Sequence, residues 1–257
     1  MAVEFVREGN VGYITLNRPP ANSYDSVFVE ELGQAVGQVD ADPEVRAVVV
    51  RSAVDRFFSA GADVRAFSDN PPERNMDLVR RAHEVLARVA RIPKVFVAQI
   101  AGHALGGGLE IALACDLRFG AQGSYRVGLP EVTLGLLPGN GGTQRLPRLV
   151  GWSRALDLMV TGRTLSPEEA HACGILDRLL PAERLAEETA DYASKLAAGP
   201  SRAVGAIKLA VRLGLDRPLE DGLRLERELV EGLFRSEDAQ EGIRAFLEKR
   251  APRFRGR

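Results

Sequence analysis

The chain is poor in the residues that staple, ligate metal or bind polyanions. Its two cysteines, Cys115 and Cys173, cannot build a disulfide framework and neither lies in a CxxC pattern. Both sit among apolar residues and read as small buried thiols. The three histidines, His83, His103 and His171, lack ligand spacing, so no metal site is expected. A formal net charge of −1 argues against a nucleic-acid or membrane-surface partner. No stretch approaches the ~20 apolar residues of a spanning helix. The opening MAVEFVREG has no charged-then-apolar leader pattern, so a cytoplasmic location is expected. There is no GxSxG, and Ser59 has no evident base, which disfavours a serine hydrolase. GNGGTQ fails the GxGxxG pattern at Gln144, and no GxxxxGK occurs.

The 257 residues suffice for one large domain, or one domain with an appendage, around a sizeable core. Val3–Arg7 and Val11–Leu16 alternate apolar and polar residues around Glu8–Gly9–Asn10, the pattern of a β-hairpin. Asp25 or Ser26 caps a helix through Phe28, Leu32, Ala35 and Val39 that stops near Asp42–Pro43. Ala47–Val50 reads as a buried parallel strand. A loop, FFSAGADVRAF, follows it. From Pro72 a second helix places Leu78, Ala82, Val85, Leu86 and Val89 on one face, and Lys94–Ile100 forms the next strand. This βαβ order predicts parallel strands with a right-handed crossover in an open α/β sheet. The loops at Ala60–Asp63 and Gly106–Gly108 then leave the same sheet edge, where such sheets bind ligands. Leu117–Phe119 is a third strand candidate. Ser166–Pro167–Glu168–Glu169 is a capping box, and helices are expected at 182–197, 201–213, 219–234 and 237–249.

One stretch, Ala101–Arg145, gathers the chemistry. Three glycines, Gly106 to Gly108, lead into a short apolar helix carrying Glu110, and Glu131 follows twenty-one residues later beside PGNGG. Backbone N–H groups of Ala62 and Gly107, if aimed at one carbonyl oxygen, form an oxyanion hole reinforced by the helix dipole. Two carboxylates beside a polarised carbonyl suit proton transfer at the α-carbon with activation of water. Neighbouring charge and burial would raise at least one pKa. The plainer reading makes the glycines close-packing sites and Glu110 a helix N-terminal acid.

FSAGAD (58–63), GHALGGGLE (102–110), GLPEVTLGLLPGNGGTQRL (128–146), TGRTLSPEEAHACGILDRLLP (161–181) and FLEKRAPRF (246–254) together resemble the enoyl-CoA hydratase/isomerase (crotonase) family across nearly the whole chain. The resemblance implies an α/β spiral of ββα units over residues 1–198. It also implies a C-terminal helical trimerisation region over 199–257, assembled as a trimer or dimer of trimers. It puts the oxyanion-hole amides at Ala62 and Gly107 and the acid/base pair at Glu110 and Glu131. Glu110 would activate the water that attacks C3, and Glu131 would exchange a proton at C2. The CoA thioester would contact Ala60, Gly61, Asp63, Arg65, Gly106, Pro130 and Gly139, with Lys249 reaching a neighbouring subunit's ligand. Coenzyme A is then part of the substrate, with no metal or further cofactor.

Having both glutamates favours a 2-enoyl-CoA hydratase of fatty-acid metabolism over a Δ3,Δ2-enoyl-CoA isomerase or another CoA-thioester reaction. A non-catalytic CoA- or RNA-binding protein is the alternative of another class. Two departures from the family pattern stand out. Asn22 is followed by Ser-Tyr-Asp where Ala-Leu is usual, and one extra residue falls around Gly123–Arg126. Both are expected to shape the acyl pocket and leave the carboxylate pair untouched.

Overall fold

The computed structural model describes residues 1–257. The chain opens with the expected antiparallel hairpin, β1 (Val3–Glu8) and β2 (Val11–Leu16), in which Val3 faces Leu16. Helix α1 (Ser26–Ala41) starts at Asp25, whose carboxylate accepts the Phe28 N–H at 3.0 Å, and buries Phe28, Leu32, Ala35, Val36 and Val39. Strand β3 (Ala47–Ser52) runs parallel to β2. A short strand β4 (Phe57–Ser59), helix α2 (Val64–Asp69) and helix α3 (Pro72–Arg91) come next. Helix α3 buries the five apolar residues assigned to one face by their spacing.

The pattern then repeats. Strands β5 (Val95–Ile100) and β6 (His103–Leu105) lead to helix α4 (Gly107–Ala114), and strands β7 (Leu117–Ala121) and β8 (Val127–Gly128) lead to a 3-10 turn at Glu131–Leu134. Helices α5 (Gly142–Val150), α6 (Trp152–Thr161) and α7 (Pro167–Ala172) precede strand β9 (Arg178–Leu180). Ser166 and Glu169 close the capping box at α7.

The strands form two sheets, which corrects the single open sheet expected from spacing. The larger runs β1-β2-β3-β5-β7-β9, parallel except for its first pair, and the smaller runs β4-β6-β8. Each repeat thus lays one strand in each sheet before its helix, the ββα spiral that the family resemblance implies. Two- and three-residue strands carry too little alternation to be read from sequence.

The C-terminal helices are α8 (Leu185–Ala198), α9 (Ser201–Gly214), α10 (Leu219–Phe234) and α11 (Glu237–Leu247). Residues 182–184, expected inside α8, make a 3-10 turn instead, and α11 ends before Lys249, which adopts φ +54°. Lys208 of α9 anchors this region: its Nζ donates to the carbonyls of Val89 and Lys94 and pairs with Asp116 at 2.9 Å. Helix α10 buries none of its residues in this chain, and Leu219, Leu223, Val230 and Phe234 lie exposed along it. Of the two cysteines, Cys115 is buried, whereas Cys173 is only half-buried because it ends the short surface helix α7. No helix is long and apolar enough to cross a membrane.

Candidate active site

The site is built where the smaller sheet ends. After β4 the backbone of residues 60–63 is pinned to residues 21–24. Ala60 N–H donates to the Ala21 carbonyl at 2.9 Å, and Tyr24 N–H donates to the Gly61 carbonyl at 2.9 Å. Asp63 N–H donates to the Tyr24 carbonyl at 3.0 Å, and Gly61 N–H donates to Ser59 Oγ at 3.1 Å. Ser59 Oγ donates in turn to the Asn22 carbonyl, so this buried hydroxyl holds the turn rather than facing a base. Within 60–63 only the Ala62 N–H makes no hydrogen bond to the protein.

Strand β6 lies beside β4 in parallel, so its end arrives at the same place. Gly106 turns the chain at φ +54° and donates to the Gly128 carbonyl at 2.9 Å. Gly107 then opens α4 with an N–H that no protein acceptor engages, as the first N–H of a helix has no partner within it. The two free N–H groups are brought close by Gly61. It adopts φ +91°, and a Cβ there would lie 2.8 Å from the Leu105 carbonyl oxygen and 3.0 Å from Gly107 N. Only glycine permits both that dihedral and that approach.

Glu110 projects from the first turn of α4 and is 1 % exposed. Its Oε1 accepts the N–H groups of Asn140 and Gly142, each at 2.7 Å. It lies in the first turn of α4, and its hydrogen bonds come from the PGNGG loop. Burial raises its pKa, opposed by the two amide bonds and by the charges of Arg145 and His83. Oε2 makes no hydrogen bond to the protein.

Glu131 reaches the same spot through β8, which pairs with β6 and sets Leu105 opposite Gly128. It begins the 3-10 turn after Pro130 and sits over Gly106, where a Cβ would lie 3.1 Å from its Oε1. Its Oε2 is buried without a partner. Burial, and then the nearby Glu110 charge, push its carboxyl up to about 7, against the opposing pull of its own N–H.

The other residues named from sequence fall in different positions. Ala60, Gly61, Asp63, Gly106 and Pro130 belong to the segments just described. Gly139 lies in the PGNGG loop, where its carbonyl is held by His83 Nε2 at 2.6 Å. Asp63 caps α2 by accepting the Arg65 N–H, and Arg65 is exposed one residue into that helix. Lys249 is exposed after α11 and makes no hydrogen bond to the site. The three histidines lie on separate elements, and no group of three or more His, Cys, Asp and Glu side chains is arranged to hold a metal ion.

Four site residues were not legible in the sequence. Asn140 and Gly142 supply the amides for Glu110, Arg145 Nη1 donates to the Asn140 carbonyl at 2.8 Å, and Tyr24 Oη accepts from Asn140 Nδ2. Tyr24 belongs to the Ser-Tyr-Asp departure, expected to leave the carboxylates untouched. That expectation is corrected, because the Tyr24 phenol touches the residue that holds Glu110. Residues 122–126, where one extra residue is expected, form the bend between β7 and β8.

Two unengaged N–H donors, the buried carboxylate of Glu110 and the half-buried one of Glu131 make a class of site suited to hold a developing oxyanion while protons move next to it. Over residues 6–257 the chain matches the enoyl-CoA hydratase/isomerase family, and it belongs to that family. It is 37% identical over 257 residues to a probable enoyl-CoA hydratase of Bacillus subtilis, covering 99% of each chain. It is 39% identical over 260 residues to the (E)-benzylidenesuccinyl-CoA hydratase of Thauera aromatica, covering both chains fully. A solved enoyl-CoA hydratase structure from Geobacillus kaustophilus superposes with a TM-score of 0.98 at 45% identity, over 100% of this chain and 97% of that one. The fold is that of the crotonases.

Proposed function

We propose that the protein is a 2-enoyl-CoA hydratase, a hydro-lyase that adds water reversibly across the 2,3 double bond to give a 3-hydroxyacyl-CoA. The observation that carries this reading is the meeting of the Ala62 and Gly107 N–H groups, both unengaged, with the Glu110 and Glu131 carboxylates. Membership of the family supports it.

In this reading the thioester oxygen takes hydrogen bonds from the Ala62 and Gly107 amides. These strengthen as negative charge moves onto that oxygen, and they are fixed before the reaction begins. Glu110, anchored through Oε1, presents Oε2 to a water molecule. The water oxygen bonds to C3 and gives a proton to Glu110, and the π electrons shift toward the thioester oxygen as an enolate. Glu131, in the protonated form that its raised carboxyl keeps at half occupancy near pH 7, then delivers its proton to C2. The two environments suit this division: amide donors favour a charged Glu110, while Glu131 has a buried oxygen with no donor to stabilise its charge. Neither step needs a metal or a redox cofactor.

The CoA portion would lie along the Ala60–Asp63 segment, where the Ala60 carbonyl is unengaged, with Arg65 toward the phosphates and Lys249 offered by a neighbouring subunit. A trimer or dimer of trimers in the cytoplasm fits that arrangement.

The test follows the conjugated enoyl-thioester absorbance with crotonyl-CoA, a longer 2-enoyl-CoA and an aryl-substituted one. The band should bleach, and Glu110→Gln and Glu131→Gln should each slow bleaching by about 10²–10⁴. No bleaching with any substrate overturns the hydratase reading. Gain of the band from a 3-enoyl-CoA, retained in Glu110→Gln and lost in Glu131→Gln, would establish an isomerase instead.

A further inference from the structure

Tyr24 is 4 % exposed and belongs to two halves of the site at once. Its backbone bonds to Gly61 and Asp63 flank Ala62 and fix the segment that aims the Ala62 N–H. Its phenol crosses to the other half, where Oη accepts from Asn140 Nδ2. Asn140 is 5 % exposed and sends its backbone N–H to Glu110 Oε1, while its carbonyl accepts from Arg145. An unbroken path of hydrogen bonds therefore runs from the backbone around Ala62, through Tyr24 and Asn140, to Glu110. The phenol also packs against Gly107, where a Cβ would collide with Oη.

A polar bond buried this deeply is costly to form badly and stiff once formed. Asn140 sits between Gly139 and Gly141, and Gly141 adopts φ +104°. A loop so rich in glycine has little stiffness of its own. What fixes the Asn140 and Gly142 amides is the set of side chains that grip the loop: His83 at Gly139, Arg145 at the Asn140 carbonyl, and Tyr24 at the Asn140 side chain.

We propose that Tyr24 is a positioning residue that locks the oxyanion-hole backbone to the loop holding Glu110, so that both keep one register. The proposal rests on the hydratase reading for its kinetic consequence but not for its structural one. The groups that face Glu110 are Tyr24, Glu131 from the 3-10 turn, Arg145 from α5 and His83 from α3. Burial, and then the charges of both glutamates, raise the Tyr24 pKa, which keeps the phenol neutral. Removing its hydroxyl loosens the loop, weakens the two amide bonds that favour the Glu110 carboxylate, and moves that carboxyl further up.

Two readouts test this in the full-length protein. In Tyr24→Phe and in Asn140→Ala, kcat for crotonyl-CoA hydration should fall roughly tenfold, with KM changed less than about twofold. The double variant should be no slower than the slower single one, because both changes break one link. Separately, carbon-13 NMR of glutamate-labelled protein without substrate follows the Glu110 carboxyl, assigned by its loss in Glu110→Gln. Its titration midpoint should rise in both single variants. An unmoved midpoint in both variants, or losses of kcat that multiply in the double variant, would overturn the proposal. If the unaltered protein hydrates no enoyl-CoA, the hydratase reading falls, and the substrate-free titration still decides the role of Tyr24.

Discussion

At the residue scale, two glutamates of identical chemistry are set apart by what surrounds them. Glu110 is sunk deeper but receives two backbone donors, whereas Glu131 has a buried oxygen with none. With its carboxyl pushed up to about 7, Glu131 is half protonated near neutrality. The proposed hydratase reaction needs one proton on the glutamate pair and has no net proton change, so kcat/KM for hydration and for dehydration should decline together as pH rises through about 7. Initial rates in both directions from pH 5 to 9 check this. Stability carries the same signature. A carboxyl raised in the folded state favours folding most below its unfolded value of 4.5, and that contribution is lost as pH rises toward about 7. Glu131→Gln escapes the loss. Its unfolding free energy should therefore exceed that of the unaltered protein at pH 8 by up to about 3 kcal/mol, less solvent screening, and the gap should close at pH 4. Urea titrations at the two pH values measure it.

At the element scale, the site depends on two parallel strand ends, β4 and β6, lying closer than side chains normally permit. Gly61 is one of the glycines that permit this approach. Gly61→Ala would set a Cβ against the Leu105 carbonyl and strain a φ of +91°. The Ala62 and Gly107 amides should part, lowering kcat by about a hundredfold. The unfolding free energy should fall by about 1–3 kcal/mol. Steady-state kinetics and urea unfolding of the same preparation would show both. The sequence pointed to this region because glycine-dense segments following strands are visible as composition. It could not supply β4, β6 and β8, which are too short to show periodicity and exist only because they pair with one another.

At the scale of the whole molecule, a buried lysine ties the C-terminal helices to the spiral. Lys208 reaches two carbonyls and Asp116, which also takes the Phe96 N–H and Arg212. Lys208→Ala would strip the largely covered Asp116 carboxylate of its nearest cation, leaving Arg212 and the Phe96 N–H, and should cost about 2–3 kcal/mol in chemical unfolding. Beyond that anchor, α10 and α11 present Leu219, Leu223, Val230, Phe234, Ile243, Phe246 and Leu247 to the outside. The trimer or dimer of trimers proposed above would cover this apolar surface. Light scattering should then give the mass of three or six chains. Phe234→Asp should shift the mass downward.

The sequence alone determined the hairpin, the long helices with their buried faces, the capping box at Ser166 and the family, because periodicity, caps and long motifs are local. It also singled out Glu110, Glu131, Ala62 and Gly107 as a group. The tertiary structure alone decided how the chain divides into two sheets, which amides hold Glu110, and which N–H groups are left without partners. Hydrogen bonds between residues thirty or more positions apart leave no local trace. Tyr24 shows the difference most clearly: in sequence it is one residue out of pattern, and only the folded chain brings it, 116 residues along, to Asn140.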